Sequence, residues 1–287
     1  MFDTNTVPTL KDKCMTVCLK RSQYYPRKYD RAATGTVERA AGAVNVGRFN
    51  KTLLKGCKEL KTTQQKFTDV YTYVVKNSLP WMNDGVRIIP NRTYIDFQTE
   101  YNRLKGEAMG SVTQLYNAWD AAVQADRVAL GALFEPSDYP TKDEMAQMWD
   151  IRLVVAPISD GGDFRIEMDD DTIKELNREI TKVESDSTTY VLKELLGPIS
   201  AMADKLVIPA GTEGSVFRDT LVSNVKDIAV RAKKLNINND DRIDETCAEV
   251  LSVLQNITPD DLRTSPVTRS SVAARMTKLE KKINEWF

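Results

Sequence analysis

The sequence predicts a mainly α-helical fold, with long antiparallel helices, coiled-coil-like packing and one or two small β-hairpins. Over most of the chain, apolar residues recur at alternating steps of three and four, the spacing of one helical face. At two places, turn signals containing glycine separate short apolar runs, and these predict the hairpins. Hydrophobic residues make up 41% and charged residues 28% of the 287 residues, a balance typical of a globular protein.

The first apolar seam begins at Leu53 and predicts a helix that ends at the Leu-Pro pair at 79–80, because the residue before proline disfavours helical dihedral angles. The Asn-Asp-Gly sequence at 83–85 then predicts a turn and a small hairpin. A second seam predicts a helix over 93–133, roughly 60 Å long at 1.5 Å per residue. The short connection makes these two helices antiparallel neighbours.

The stretch VVAPISDGGDFRIEM at 154–168 contains two adjacent glycines that suggest either a phosphate-binding loop or a turn. A phosphate-binding loop needs a helix directly after the glycines, with its N-terminus facing the anion. Here Phe164, Ile166 and Met168 alternate with charged residues, as in a strand. The sequence therefore predicts a β-hairpin near 151–168.

The remaining helices are marked by capping signals and further seams. Thr141 and Glu144 have the spacing of a capping box and predict a short helix to about Trp149. Three aspartates at 169–171 predict the start of a third long helix, since carboxylates complement the helix dipole there, and we expect the Gly-Pro pair at 197–198 to break or kink it. Seams in the last third predict three more helices, over about 217–235, 243–257 and 272–286.

Charge and element spacing together divide the chain into three consecutive segments. We expect 1–50 to be a basic N-terminal segment, partly extended or mobile, and 51–210 to be a helical core with the long antiparallel helices. A C-terminal helical region follows over 211–287. Residues 11–58 contain twelve Lys or Arg and three acids, whereas the rest of the chain has 28 basic and 38 acidic residues. This asymmetry indicates an anionic partner for the first segment.

The basic segment also contains aromatic residues placed among its cations, and together these are the candidate binding residues. Cations that neutralise phosphates beside aromatic rings that stack bases are what single-stranded nucleic acid requires. The other interpretation is docking on an acidic protein surface, in this chain or in a partner. The candidates are Lys20, Arg21, Tyr24, Tyr25, Arg27, Lys28, Tyr29 and Arg31.

The chain has no histidine, which removes Ser-His-Asp and Cys-His catalysis and histidine zinc sites. Without a pocket motif, we expect no catalytic residues, no cofactor and no enzyme activity. Cys14 and Cys18 are four residues apart, which would place both on one helical face. We expect all four cysteines to be free thiols rather than a disulfide framework or a zinc site.

The stretch NINNDDRIDETC at 236–247 has the oxygen-rich spacing of a calcium-binding EF-hand loop. Two requirements of that loop fail, because Asp241 stands where glycine is needed and Cys247 where a bidentate glutamate is needed. We therefore expect no metal site but a polar loop in which Asp240 or Asp241 caps the next helix.

The middle of the chain, from about residue 50 to 210, resembles an uncharacterised helical family of phages and mobile elements. The order and spacing of several short pieces carry this resemblance. Members of the family tend to be encoded near a MoxR-type AAA+ ATPase and a von Willebrand A-domain protein. The resemblance implies an adaptor or assembly subunit and carries over no catalytic residue. The pieces are Leu79-Pro80-Trp81, Gly85, Arg87, Pro90, Leu130-Gly131-Ala132-Leu133-Phe134, Asp138-Tyr139-Pro140, Pro157 and Asp163-Phe164-Arg165.

Three functions follow as hypotheses. The first is a phage-type adaptor that acts in a protein assembly with the AAA+ system. The second is a nucleic-acid-binding accessory factor that uses the basic segment, and the third is a structural subunit of a virion or another phage assembly. No apolar run approaches the ~18 residues of a membrane span and the N-terminus lacks an apolar signal region. We therefore expect no membrane partner and a cytoplasmic location, in the host cell if a phage encodes the chain.

Overall fold

The computed structural model describes residues 9–82, 84–158, 169–208, 212 and 217–287. Within these ranges the fold is mainly helical, as predicted, with small antiparallel sheets. The helices are α1 (Leu10–Lys13), α2 (Arg31–Ala41), α3 (Lys58–Lys76), α4 (Tyr94–Leu130), α5 (Lys142–Gln147), α6 (Asp170–Val207), α7 (Thr220–Leu235), α8 (Asp241–Leu254), α9 (Pro259–Thr264) and α10 (Pro266–Asn284). The strands are β1 (Cys14–Ser22), β2 (Arg27–Tyr29), β3 (Asn50–Thr52), β4 (Leu79–Pro80), β5 (Val86–Pro90) and β6 (Asp150–Pro157).

The chain forms two compact units that are interleaved in sequence. Unit 1 comprises Met1–Cys18, Val75–Ile95 and Val155–Phe287, and unit 2 comprises Leu19–Val74 and Asp96–Val154. This differs from the three consecutive segments that we predicted. The basic segment in particular is divided between the units, and its described residues form α1, β1, β2, α2 and the start of β3, joined by loops. The physical reason in unit 1 is the pairing of the start of β1 with β5.

The core of unit 1 is formed by α6, α7, α8 and α10, whose apolar faces are buried together. We expected a break or kink at Pro198, and the structure shows no break, since α6 continues from Asp170 to Val207 with Pro198 inside it. Proline removes one backbone hydrogen bond there, and the fully buried side chains around it, Leu195 and Ile199 among them, stabilise the helix through packing. None of the helices in the described ranges combines the length and apolar character that spanning a membrane requires.

A four-stranded sheet has the order β4-β5-β1-β6. The predicted hairpin is formed by β4 and β5, with Leu79 opposite Ile88 and Gly85 at a φ of 82°; Asn83 lies outside the described residues. Cys14 and Cys18 lie on strand β1 rather than on a helix. A spacing of four residues is compatible with one face of either element, so it did not distinguish them.

The predicted hairpin near 151–168 is described only in its first half. Strand β6 forms over Asp150–Pro157 and lies beside β1 in the sheet order. The glycine pair and the alternating residues that follow it lie outside the described residues.

In unit 2, α3 and α4 are antiparallel neighbours, as their spacing predicted. The Thr63 hydroxyl donates to the carbonyl of Ser111 at 3.1 Å, and Lys66 pairs with Glu107 at 2.7 Å. A residue further along α3 therefore contacts a residue earlier in α4, which shows that the two helices run in opposite directions. Large side chains buried in this unit include Phe67, Leu115, Trp119, Met145 and Trp149.

The predicted capping residues cap the helices that follow them. Thr141 and Glu144 form a capping box on α5, and Asp169 accepts hydrogen bonds from backbone N–H groups at the start of α6. Asp240 caps α8, which confirms the polar-loop interpretation of 236–247. The three C-terminal seams correspond to α7, α8 and α10. The short α9 was not predicted, although Thr258 begins it with a capping box of the same kind.

Arg269 on α10 is buried and closes the C-terminus of α6. Its guanidinium donates to the carbonyls of Lys205 at 2.8 Å, Leu206 at 3.2 Å and Ile208 at 2.6 Å. The last turn of a helix needs donors from outside the helix for its carbonyls. One side chain therefore provides the capping hydrogen bonds that a turn residue usually supplies.

We predict that Arg269→Met lowers the free energy of unfolding by about 3 kcal/mol, since it removes the charge-assisted hydrogen bonds that the guanidinium donates at the end of α6. Arg275→Met is the matched control, because Arg275 lies on the same helix and is exposed; it should change stability by less than about 0.5 kcal/mol. Urea denaturation followed by circular dichroism measures both. Equal effects of the two substitutions would contradict a capping role for Arg269.

Candidate nucleic-acid interface

A buried ion cluster in unit 2 holds together a strand, a helix and a loop beside most of the candidate binding residues. Lys51 on β3 is only 6% exposed, and its Nζ lies 2.6 Å from Asp138 Oδ2 and 3.3 Å from Asp30 Oδ2. The same ammonium donates to the carbonyl of Leu133 at 2.7 Å. Burial alone would lower the pKa of Lys51, but the two carboxylates outweigh it and raise that pKa. The cluster fixes β3, the start of α2 and the segment after α4 to one another.

A second buried carboxylate lies at the C-terminal part of α4. Asp126 accepts hydrogen bonds from the N–H of Leu54 at 2.7 Å and from the Tyr139 hydroxyl at 2.5 Å. The Tyr24 ring packs edge-on against Trp119 with centroids 5.5 Å apart. Burial, with the Asp126 charge nearby, raises the pKa of Tyr24 to about 12. Tyr24 is only 6% exposed, so this candidate residue is a core residue and we remove it from the binding surface.

The loop after α2 is fastened to that helix by two side-chain hydrogen bonds, and it begins at a glycine with a positive φ. Gly42 ends α2 in the left-handed conformation at a φ of 63°, which glycine adopts without strain. The Thr34 hydroxyl accepts from the N–H of Phe49 at 3.0 Å. The Glu38 carboxylate accepts from the N–H of Asn45 at 2.8 Å through Oε1. The loop is therefore preorganised rather than held only at its ends.

A polar cleft of about 730 Å³ lies between the end of β2, helix α2 and this loop. Tyr29 and Arg31 line it, together with Glu38, Gly47 and Arg48. The Tyr29 ring is 48% exposed, and the Arg48 guanidinium lies 5.8 Å from its centroid. One aromatic face, two cations and one carboxylate thus share a single concave surface.

The remaining binding residues that the sequence suggested also lie in unit 2, but some of them lie outside the cleft. Arg27, Lys28 and Tyr29 are consecutive on β2, where every side chain is exposed, and Tyr25 is 71% exposed. Lys20 and Arg21 are exposed near the end of β1, and the Arg21 guanidinium lies over the ring of Tyr71. These positions form a basic, aromatic surface around the cleft.

The candidate residues identified from the sequence did not include Glu38 and Arg48. Both are separated from Tyr29 in sequence and reach it only because α2 and its loop reverse the chain. The one local signal was the pair of glycines at 42 and 47, which bracket a turn beside Arg48. Conversely, Lys51 counted as a surface cation in the sequence but is buried and neutralised by two acids.

Unit 1 has a cleft of its own, of about 520 Å³, between the β4-β5 hairpin and α6. Trp81 and Tyr190 supply aromatic surface there, and Glu179, Lys182 and Asp186 add charges of both signs. It is therefore amphipathic, unlike the predominantly polar cleft of unit 2.

Metal and thiol chemistry have little structural support in the part of the chain that is described. No group of three or more His, Cys, Asp or Glu side chains in these ranges could hold a metal ion. Cys14, Cys57 and Cys247 are buried free thiols, as predicted for small apolar residues. Burial raises the pKa of Cys14 and of Cys247 to about 12, which keeps both thiols protonated at neutral pH.

No family model matches the chain, and neither does any curated protein or any solved structure. The resemblance described above therefore stays a prediction.

We predict that Lys51→Met lowers the free energy of unfolding by about 3 kcal/mol at pH 7, because it leaves two largely buried carboxylates without their cation. The Ala33 N–H first, and then Lys51, hold the pKa of Asp30 below its ordinary 3.8. The stability that comes from ionised Asp30 is present above this pH and is lost as the pH falls further. The difference between wild type and variant should therefore shrink below pH 3.8.

Chemical denaturation at pH 7, 5 and 3 measures this difference. Lys55→Met is the control, because Lys55 is exposed nearby, and it should have little effect at any pH. A Lys51→Met difference that does not change between pH 7 and pH 3 would contradict the role of the ion cluster.

Proposed function

We propose that the chain is a non-enzymatic accessory factor that binds single-stranded nucleic acid on the basic surface of unit 2. The observation that carries this proposal is the exposed ring of Tyr29 beside the guanidinium of Arg48, with Arg31 on the same cleft. Aromatic faces stack unpaired bases, and adjacent cations neutralise phosphates. Tyr29 lies on strand β2, and Arg48 lies on the loop that Thr34 and Glu38 hold by hydrogen bonds; such preorganisation lowers the conformational entropy lost when a ligand binds.

The arrangement along β2 supports the same proposal. Arg27 and Tyr29 are two residues apart and so share one face of the strand, while Lys28 lies on the other exposed face. A cation and a stacking ring therefore face the same side at a spacing of roughly 7 Å. Exposed Tyr25 adds a second ring just before the strand.

Single strands suit this surface better than duplexes. In a duplex the bases stack on one another and present only their edges in the grooves. An exposed tyrosine ring next to arginine provides a stacking face, which only an unpaired base can use. The N-terminus of α2 is not available for a phosphate, since the Asp30 side chain caps it.

We predict that the full chain binds a labelled 20-residue DNA single strand and that Tyr29→Ala weakens binding roughly 5- to 150-fold, the usual range for one stacked base. Arg27→Ala with Arg31→Ala should weaken binding at low salt. The double substitution should also make the dependence on salt less steep, by about 0.7 in the logarithmic slope for each phosphate that the protein no longer neutralises. Fluorescence anisotropy at several salt concentrations measures these effects.

The matched control removes two cations elsewhere. Arg275→Ala with Lys278→Ala takes the same charge from the exposed side of α10 in unit 1 and should leave the affinity and its salt slope unchanged. An equal loss in the control, or no binding of single strands at 50 mM salt, would contradict the proposal.

A second candidate function is the adaptor or assembly subunit that the family resemblance implies, acting with a MoxR-type AAA+ ATPase in the cytoplasm. The amphipathic cleft of unit 1 supports it, because the partly exposed rings of Trp81 and Tyr190 line that cleft and aromatic residues are enriched at protein interfaces. For this candidate we also propose that α3 and α4 pack on each other in the manner of a coiled coil. In a phage, this role would extend to a structural subunit.

We predict for this candidate that a MoxR-type ATPase from the same genome co-elutes with the chain in size-exclusion chromatography, and that Trp81→Ala removes the complex. Val267→Ala is the control, because Val267 is an exposed apolar residue on α10. Self-assembly of the chain alone at micromolar concentration would favour the structural subunit. Absence of both complex and self-assembly would exclude the candidate.

A further inference from the structure

We propose that Glu38 makes the cleft of unit 2 selective for bases with an amino group, so that cytosine binds more tightly than thymine. This inference rests on the proposed binding of single-stranded nucleic acid. It concerns which base enters the cleft, which neither the basic surface nor the stacking ring determines.

Glu38 is the one acidic residue among the described residues that line the cleft. A carboxylate repels phosphate, so the backbone of a bound strand belongs beside Arg31 and Arg48 rather than beside Glu38. An acid within a basic binding surface weakens non-specific affinity. The group best suited to Glu38 is therefore a neutral hydrogen-bond donor on the edge of a base.

The Glu38 carboxylate has acceptor capacity left for such a donor. Its Oε1 accepts from the N–H of Asn45 at 2.8 Å, and a carboxylate offers about four acceptor positions. That hydrogen bond also fixes the side chain against the loop. The hydrogen bond holds the carboxylate in one position. A base that presents a donor to that position therefore binds more tightly than a base that presents an acceptor.

The bases differ clearly in what they offer an acceptor. Cytosine, adenine and guanine carry amino groups, and a glutamate that accepts from the cytosine amino group is an established pairing. Thymine has carbonyl oxygen where cytosine has its amino group, and a carboxylate repels that oxygen. Cytosine and thymine are nearly equal in size, and they differ in the amino group, in N3, which carries a hydrogen only in thymine, and in the thymine methyl group. Of these, only the amino group of cytosine places a donor where thymine places a carbonyl oxygen.

The test compares ten-residue deoxycytidine and deoxythymidine strands with the full chain at 50 mM salt and pH 7.5, by fluorescence anisotropy. We expect the wild type to bind the deoxycytidine strand about fivefold more tightly or better. Glu38→Gln keeps an oxygen for the Asn45 N–H and replaces the other oxygen by an amide donor. We expect this variant to lose the preference or to reverse it, with no loss of affinity for the deoxythymidine strand.

Glu135→Gln is the matched control, since Glu135 is an exposed acid of unit 2 outside the cleft. It should change both affinities by the same factor and keep the preference. Equal binding of the two strands by the wild type, or a preference that survives in Glu38→Gln, would overturn this inference and leave the proposed function standing. Failure of both strands to bind would overturn the two together.

Discussion

The basic surface of unit 2 depends on a buried ammonium group placed between two carboxylates. Lys51 brings Asp30, at the start of α2, against Asp138, which follows α4 in the chain. A charge removed from water is costly unless it is paired and hydrogen-bonded, so these three elements are stable only in one relative arrangement. The ordered position of α2 and of its loop, and therefore the cleft between them, follows from that requirement.

Because of this arrangement, the basic segment is a preformed surface rather than a mobile cationic tail. A mobile cationic tail attracts any anion and loses conformational entropy when it binds. Here the cations and tyrosines are placed on β2, on α2 and on a loop that two side-chain hydrogen bonds fasten to α2. A preformed surface of this kind selects by shape and by hydrogen bonding as well as by charge. Glu38 is the acid on this surface, and the residues around it are held in fixed positions. We assign it a role in base selectivity for that reason.

Much of the helical architecture could be predicted because its information is local. Apolar spacing located α3, α4, α6, α7, α8 and α10, and capping residues such as Thr141 and Asp169 marked helix starts within one or two residues. The failures had non-local causes. Strand β1 depends on pairing with β5, some 70 residues later, and α6 continues through Pro198 because of its packing.

The binding surface was predictable only in part, for the same reason. Composition identified Tyr25, Tyr29 and the cations around them, all of which are exposed. It could not separate Tyr24 from Tyr25, since the burial of Tyr24 depends on Trp119, nearly a hundred residues away. Nor could it identify Glu38 on α2 or Arg48 on the loop after Gly42, which line the same cleft as Tyr29.

Ultraviolet crosslinking of the full chain to a single strand that contains 5-bromouracil, with peptide mapping by mass spectrometry, tests the central claim most directly. We expect crosslinks to concentrate on peptides from residues 22–48, with Tyr25 and Tyr29 as the principal sites. The yield of these crosslinks should decrease when the salt concentration is raised. Crosslinks confined to peptides of unit 1, or spread evenly over both units, would contradict the assignment of the nucleic-acid surface to unit 2.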